Sequence, residues 1–264
     1  MDGRRQRRPL RFSALTNSPT EQAPKRRSAI ALTIFCGFLV VVICAVFTLG
    51  VWQVERLAWK LDLIARVDQR IHAEPVVAPA RADWGNITKE NDEYRRVTAE
   101  GTLQNDKESL VYAATALGAG YWVVTPLTLA DGTSVMINRG FVPTDKRDLN
   151  TRLEGQVSGP VTITGLLRLN EPGGTFIKSN DPANDRWYSR DVDAMAAKRG
   201  VANIAPYFID ADSTTNPGGF PVGGLTQVSF PNNHLQYALT WFALAAMVTG
   251  LLVFVLRSEL RRRR

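Results

Sequence analysis

Histidine is scarce in this chain, and one of its two copies stands where an apolar run begins. His234 lies in the segment NNHLQYALTWF, just ahead of a long uncharged stretch. On a helix, the spacing places His234, Tyr237 or Ala238, and Trp241 on one face. An ionisable residue at a membrane boundary has to hydrogen-bond, pair or bind something. Two interpretations stay open: interfacial hydrogen bonding, or axial ligation of a haem iron with an aromatic face packed on the macrocycle.

A second group of candidate residues follows the first apolar run, in the segment LGVWQVERLAWKL. Trp52 and Trp59 suit the headgroup level of a bilayer, where an indole has one apolar edge and one hydrated edge. Arg56 and Lys60 are one helical turn apart and share a face. Either these residues form an aromatic belt with anchoring cations, or the two cations hold an anionic head such as a propionate or a lipid phosphate.

The sequence lacks the residue sets of common enzymes. It has no G-x-S-x-G or H-E-x-x-H motif, and its paired glycines do not form a phosphate loop. Cys36 and Cys44 both lie in the first apolar run, so the rest of the chain offers no thiolate for redox or copper chemistry. The other histidine, His72, ends a helical pattern, where it is solvated or caps the helix. We therefore expect no enzymatic activity and no catalytic residue.

Two uncharged runs are long enough to cross a bilayer as helices, residues 28–54 and residues 235–256. Arginines flank both runs on their outer side, so the positive-inside rule places both termini in the cytoplasm. The predicted organisation is a disordered basic tail (1–27), a first transmembrane helix (28–56), an extracytoplasmic domain (57–233), a second transmembrane helix (234–256) and a second basic tail (257–264).

The net charge of +7 is concentrated in the two tails. Residues 1–27 carry eight basic and two acidic residues, and residues 257–264 carry five arginines and one glutamate. The stretch between them is net acidic, so we expect no basic folded face and no nucleic-acid partner. An Arg-rich, acid-poor N-terminus is also typical of mitochondrial transit peptides, which leaves a mitochondrial inner membrane open beside a bacterial plasma membrane.

The segment between the two runs has a strand-like period. Before it, the helical period continues past the first run to about His72, and Pro75 and Pro79 end it. Residues 190–200 predict a short helix closed by Gly200, and Asp131-Gly132 is a hairpin signal. We predict an α+β membrane protein in which two transmembrane helices flank a mainly antiparallel small barrel or sandwich. The predicted strands are 94–103, 109–115, 120–129, 133–142, 159–169 and 205–212.

Five segments, in this order, resemble the surfeit locus protein 1 family, the assembly factors of cytochrome c oxidase. They are LGVWQVERLAWKLDLI, EYRRVTAEGTL, INRGFVP, RWYSRDVDAMA and NNHLQYALTWFALA, and they span about residues 29–255. The resemblance implies help in maturing the oxidase subunit that carries haem a, with binding of that haem through His234. It implies three partners: the oxidase subunits, the haem-insertion machinery and the lipid bilayer. A bacterial plasma membrane is the expected location.

The resemblance implies that haem a is a transient cofactor. Its isoprenoid tail dissolves poorly in water, and a pair of helices within the bilayer would solvate it. Our own hypothesis adds Arg56 or Lys60 as partners of the haem propionates. The alternative function is a membrane-anchored scaffold that stabilises an oxidase assembly intermediate without carrying cofactor. The candidate cofactor-binding residues are His234, Tyr237, Trp241, Arg56, Lys60 and Trp52, with His234 as the metal ligand.

Overall fold

The computed structural model describes residues 29–226 and 228–264, so the predicted disordered tail lies outside the described residues. Within them, two helices are long and apolar enough to cross a membrane, and they stand at the two ends of the chain. A strand-rich domain lies between them, which confirms the predicted α+β architecture. The chain divides into a helix-pair unit, formed by the residues up to Gln53 and by Leu235–Arg264, and a domain unit, Val54–His234.

The predicted strands are all present, with ends within two residues of the predicted ones. A two-residue strand and a four-residue helix were not predicted, because such short runs do not produce a hydrophobic period. In chain order the elements are α1 (Ala29–His72), β1 (Val76–Val77), α2 (Lys89–Asp92), β2 (Arg96–Leu103), β3 (Ser109–Thr115), β4 (Gly118–Leu129), β5 (Ser134–Pro143), β6 (Pro160–Leu169), α3 (Val192–Arg199), β7 (Ile204–Ala211) and α4 (His234–Arg263).

Five strands close into a small barrel in the order β2–β6–β7–β5–β4. Closure comes from the C-terminal end of β4, which returns to β2 through pairs from Gly101↔Leu129 to Leu103↔Leu127. The barrel pairs are antiparallel except β5 with β7, which is parallel. β3 continues the sheet beyond β4, and β1 lies parallel on β2. Of the two predicted arrangements, the chain forms the barrel.

β7 is buried on both faces and separates two hydrophobic cores. Tyr207 and Ile209 belong to the core that also contains Val97 and Leu127. The residue between them, Phe208, belongs to a second core that contains α3 residues. Because successive side chains of a strand point to opposite faces of the sheet, β7 contributes residues to both cores.

α3 has the start and stop signals that the sequence predicts. Asp191 is its N-cap, and the Asp191 carboxylate accepts a hydrogen bond from the Ala194 N–H at 3.1 Å. Gly200 follows the last turn with a left-handed φ of 62°, which confirms the predicted C-terminal stop.

α1 continues without interruption beyond its apolar half and ends at His72, as predicted. Its 44 residues rise 1.5 Å each and span roughly 66 Å, about twice the apolar thickness of a bilayer. Nδ1 of the exposed His72 lies 2.9 Å from the carbonyl oxygen of Asp68, in the C-terminal turn that the sequence assigns to it. On the domain side, Val67 is buried and Arg70 donates to the Glu93 carbonyl at 3.2 Å. The extension of α1 is therefore part of the domain.

The apolar half of α1 packs against α4 within the helix-pair unit. The Phe47 and Phe242 rings meet edge-on with centroids 5.5 Å apart. A Cβ at Gly50 would lie 2.6 Å from the Phe242 ring, so the glycine permits this close approach. Buried positions repeat every seven residues on each helix, a spacing typical of left-handed helix pairs. They are Leu39 and Val46 on α1, and Ala238 and Ala245 on α4.

Candidate functional site

The segment that leads into α4 is held by alternating cations and aromatic rings. The Lys60 ammonium on α1 lies 5.1 Å from the centroid of the Phe230 ring. Phe230 meets Tyr94 edge-on, with centroids 6.2 Å apart, and the Arg168 guanidinium lies 4.7 Å from the Tyr94 ring. We call these four residues the cation–aromatic ladder. It fixes the approach to His234, four residues after Phe230, against the extension of α1 and the barrel.

His234 is the first residue of α4 and the last residue of the domain unit. Its N–H donates to Oδ1 of Asn232 at 3.4 Å, so Asn232 acts as a local cap for the start of the helix. The residue is half-buried. Because the first turn of a helix carries unsatisfied N–H groups, the start of α4 has a positive electrostatic potential. This potential favours an anionic group near the start of α4.

Arg56 and Lys60 keep the helical spacing that the sequence predicts, but each cation lies over a different ring. The Arg56 guanidinium lies 4.2 Å from the centroid of the Trp59 ring, whereas Lys60 contacts Phe230. Arg56 and Trp59 are both exposed. Among the described residues, neither cation takes part in an ion pair within 4.0 Å. Both charges can therefore meet an external anion without breaking an internal salt bridge.

Three candidate residues belong to the helix-pair unit. Tyr237 is 55% exposed and Trp241 is half-buried, and the two are one turn apart on α4. Ala238, the alternative companion of His234, is 2% exposed and belongs to the buried heptad positions. Trp52 is 50% exposed on α1 and makes no ring contact among the described residues. Tyr237 and Trp52 are thus free to contact lipid or a ligand.

A buried ion-pair network behind the ladder was missed by the sequence analysis. Asp210 on β7 accepts hydrogen bonds from Arg168 (3.0 Å), Arg190 (3.2 Å) and Asn138 (2.7 Å). Arg168 also pairs with Glu93 at 2.8 Å. Although burial lowers the pKa of Arg168, its contacts with Asp210 and Glu93 outweigh that effect and hold the pKa above the ordinary guanidinium value. The network pairs two largely buried cations with carboxylates inside the domain.

The sequence does contain a signal for this network. Arg168 and Asp210 occur inside the predicted strands GPVTITGLLRL and APYFIDAD. A charged residue within a strand that is apolar on both sides has to be paired if it is buried. The opposite signs identify possible partners, but the strand order that brings β6 next to β7 comes only from the fold.

Arg139, in the INRGFVP segment, is a second buried cation that the sequence analysis did not assign a role. Its guanidinium donates to the side-chain oxygens of Asn105 and Asn216 at 3.3 Å each, and to the Gly155 carbonyl. Burial lowers the pKa of Arg139 to about 10. Because these three acceptors are neutral and come from three loops, Arg139 ties the loops to β5 and has a structural role.

Comparison of the sequence with known proteins identifies a family. A family model described as the SURF1 family matches residues 40–246, which include all six candidate residues and the whole barrel. The chain belongs to the SURF1 family. It is 39% identical to Surfeit locus protein 1 of Rattus norvegicus over 231 residues, covering 81% of this chain and 73% of that protein. The human protein of that name is 39% identical over 225 residues, covering 78% and 72%. A SURF1-like protein of Monosiga brevicollis is 37% identical over 226 residues, covering 80% and 84%.

A haem iron needs fewer protein ligands than a bare metal ion does. Among the described residues, no group of three or more His, Cys, Asp or Glu side chains is arranged to hold a metal ion. An iron that a porphyrin already holds needs only an axial side chain. His234 offers one imidazole, and Arg56 and Lys60 offer two cations on the extension of α1. These are the residue types that an axial position and anionic propionates would need.

Proposed function

We propose that this chain is an assembly factor for cytochrome c oxidase that binds haem a at the start of α4 and assists its delivery to the catalytic subunit. Membership of the SURF1 family supports the role in oxidase assembly. One observation carries the haem part of the proposal. His234 begins α4 directly after a segment that Lys60 and Tyr94 hold in place through Phe230.

Each candidate residue has a defined task in this proposal. His234 provides an axial nitrogen to the haem iron, which is cargo rather than a catalyst here. Arg56 and Lys60, on one face of α1, bind the propionates by charge-assisted hydrogen bonds. Tyr237 and Trp241 continue from His234 along α4 and offer aromatic surface to the macrocycle. Trp52 lies one turn before Arg56 and offers the same on α1.

The membrane setting explains why a helix pair suits this cargo. An isoprenoid tail is apolar and is solvated by lipid and by apolar helix surface. We place both termini on the cytoplasmic side of a bacterial plasma membrane and the barrel on the opposite side, with the mitochondrial inner membrane as the other location. The protein binds, orients and releases its cargo, and no bond of the cargo is made or broken.

Deletion of the gene from its host tests the role in assembly. We expect the haem a absorbance of the oxidase in membranes, and oxidase activity, to fall, and the wild-type gene to restore both. The double charge swap Arg56→Glu/Lys60→Glu should restore neither fully, because anionic side chains repel the propionates. Arg66→Glu, an exposed change on the same helix, is the matched control and should restore both.

The outcomes separate the two parts of the proposal. A deletion strain with normal oxidase would contradict the role in assembly. A charge-swapped protein that keeps wild-type haem occupancy would contradict only the propionate assignment.

The alternative function, a scaffold without cofactor, is favoured by one observation. Phe176 and Ile177 of the barrel domain are almost fully exposed, and exposed apolar residues are typical of surfaces that bind another protein.

A further inference from the structure

Three tyrosines form a surface cluster on the barrel. Tyr112 and Tyr188 are stacked with centroids 5.1 Å apart and planes at 12°, and Tyr121 lies 5.0 Å from Tyr112. Tyr121 is buried, and burial raises its pKa. Tyr112 is 45% exposed. A rigid aromatic surface of this kind costs little side-chain entropy when it binds a partner, and tyrosine is enriched at the centres of protein interfaces.

A short hairpin with an apolar tip stands next to this cluster. Residues 174–179 form a tight turn in which the Thr175 N–H donates to the Lys178 carbonyl at 2.8 Å and the Lys178 N–H donates to Thr175 Oγ1 at 3.1 Å. Phe176 and Ile177 at the tip are 107% and 86% exposed. The Lys178 ammonium lies 5.2 Å from the centroid of the Tyr188 ring, so the hairpin adjoins the tyrosines. The turn is closed by its own hydrogen bonds, yet it exposes its largest apolar side chains.

The tyrosines line a cleft of about 520 Å³ whose acidic residues are already neutralised. Glu108 is held by both guanidinium nitrogens of the buried Arg152. Asp185 accepts two hydrogen bonds from Arg199, at 2.7 and 2.8 Å. Burial works to raise the pKa of Asp185, but the hydrogen bonds from Trp187 and Arg199 hold it below the ordinary value.

Two arginines of the cleft form no close ion pair within the described part of the chain, although the pKa of Asp181 is lowered, mainly by hydrogen bonds from Asn184 and to a lesser extent by Arg186. Among the described residues, Arg147 and Arg186 take part in no ion pair within 4.0 Å. Arg147 instead lies 5.3 Å from the centroid of the Tyr121 ring. The cleft, lined by three arginines and two acidic residues, therefore presents an excess of positive charge beside an aromatic wall and an apolar tip.

We propose that this surface binds an extended segment of a protein partner in which acidic residues alternate with apolar ones. Carboxylates of the segment pair with Arg147 and Arg186, and its apolar side chains pack on Tyr112, Tyr188 and Phe176. A polypeptide fits better than a bilayer, because the positive charge lies inside a concave cleft and the apolar tip consists of two residues. The proposal does not depend on haem binding, since none of its residues belongs to the haem site.

A labelled peptide of alternating glutamate and leucine tests this proposal, with the full chain in nanodiscs of phosphatidylcholine. We expect the acidic peptide to bind and its twin with lysine in place of glutamate not to bind. We test two double variants, Arg147→Glu/Arg186→Glu and Phe176→Ser/Ile177→Ser. Each should raise the Kd of the acidic peptide about tenfold or more, because each removes at least one good ion pair or apolar anchor. The control Arg81→Glu/Lys89→Glu makes the same change of charge on two exposed residues that do not line the cleft and should leave the Kd unchanged.

Four results would overturn the proposal. The first two are no binding of the acidic peptide and equal binding of both peptides. The third is wild-type affinity in the Arg147→Glu/Arg186→Glu protein while circular dichroism shows an intact fold. The fourth is full displacement of the peptide by phosphatidylglycerol vesicles but not by phosphatidylcholine vesicles, or by inorganic phosphate but not by chloride at equal ionic strength, which would identify a lipid or phosphate site.

Discussion

Replacing Gly140 with alanine is expected to prevent the barrel domain from folding stably. Gly140 has a φ of +129°, a conformation that side chains with a Cβ rarely adopt. A Cβ there would lie 2.2 Å from the Val222 carbonyl oxygen and 2.6 Å from the Gly223 nitrogen, which are backbone atoms and cannot rotate away. The adjacent pair, Phe141 and Val222, exchanges two backbone hydrogen bonds of 2.8 and 2.9 Å that the shift would break. We expect a loss of about 4 kcal/mol or more in the free energy of unfolding.

Gly159→Ala separates backbone strain from steric collision. Gly159 also has a positive φ, +83°, but a Cβ would meet no atom within 4 Å. In Gly159→Ala, backbone strain alone should lower the free energy of unfolding by on the order of 1–2 kcal/mol. Urea unfolding of the full chain in detergent, followed by tryptophan fluorescence, measures both, because Trp187 is fully buried in the domain. Equal losses for the two variants would show that the approach of Val222 contributes nothing.

Asp210→Ala is expected to destabilise the domain by about 3–5 kcal/mol, because it leaves two buried guanidinium groups without their shared carboxylate. The Asp210 side chain is 1% exposed, and those of Arg168 and Arg190 are 14% and 16% exposed. Glu93 and Glu171 still contact the arginines, but the acceptor that joins β6 and β7 is lost. The same urea titration measures the effect.

An exposed ion pair provides the control for Asp210. Asp62 pairs with Arg66 on the surface of α1, so Asp62→Ala should cost about 0–1 kcal/mol. Asp210→Asn keeps the shape and an acceptor oxygen and should fall between the two. If Asp210→Ala unfolds at the same urea concentration as Asp62→Ala, the network does not stabilise the fold.

The strands and helix ends that depend on local pattern were predictable from the sequence. Alternating side chains located β2 to β7, and Gly200 ended α3 at the predicted position. Closure of the barrel was not predictable, because it depends on three residue pairs between Gly101–Leu103 and the end of β4. The parallel pairing of β5 with β7 is likewise a property of the topology, which no period along the chain encodes.

The candidate site was predictable as a set of residues but not as an arrangement. Helical spacing correctly placed Arg56 and Lys60 one turn apart, and the boundary of the apolar run located His234 at the start of a helix. Phe230 gave no signal, since one aromatic residue in an irregular segment belongs to no period. Its contacts with Lys60 and Tyr94 join residues that are distant in sequence. Such contacts follow from tertiary packing alone.

Haem occupancy of the purified protein tests the central claim most directly. The full chain, made in cells that synthesise haem A and purified in detergent, would be compared with His234→Ala by absorption and pyridine-haemochrome spectra. His72→Ala is the matched control, because His72 is the other histidine of the chain and lies exposed at the end of α1. We predict a haem a band in the wild type and in His72→Ala, and its loss in His234→Ala. Haem a absent from all three proteins, or retained in His234→Ala, would contradict the assignment of His234 as the ligand.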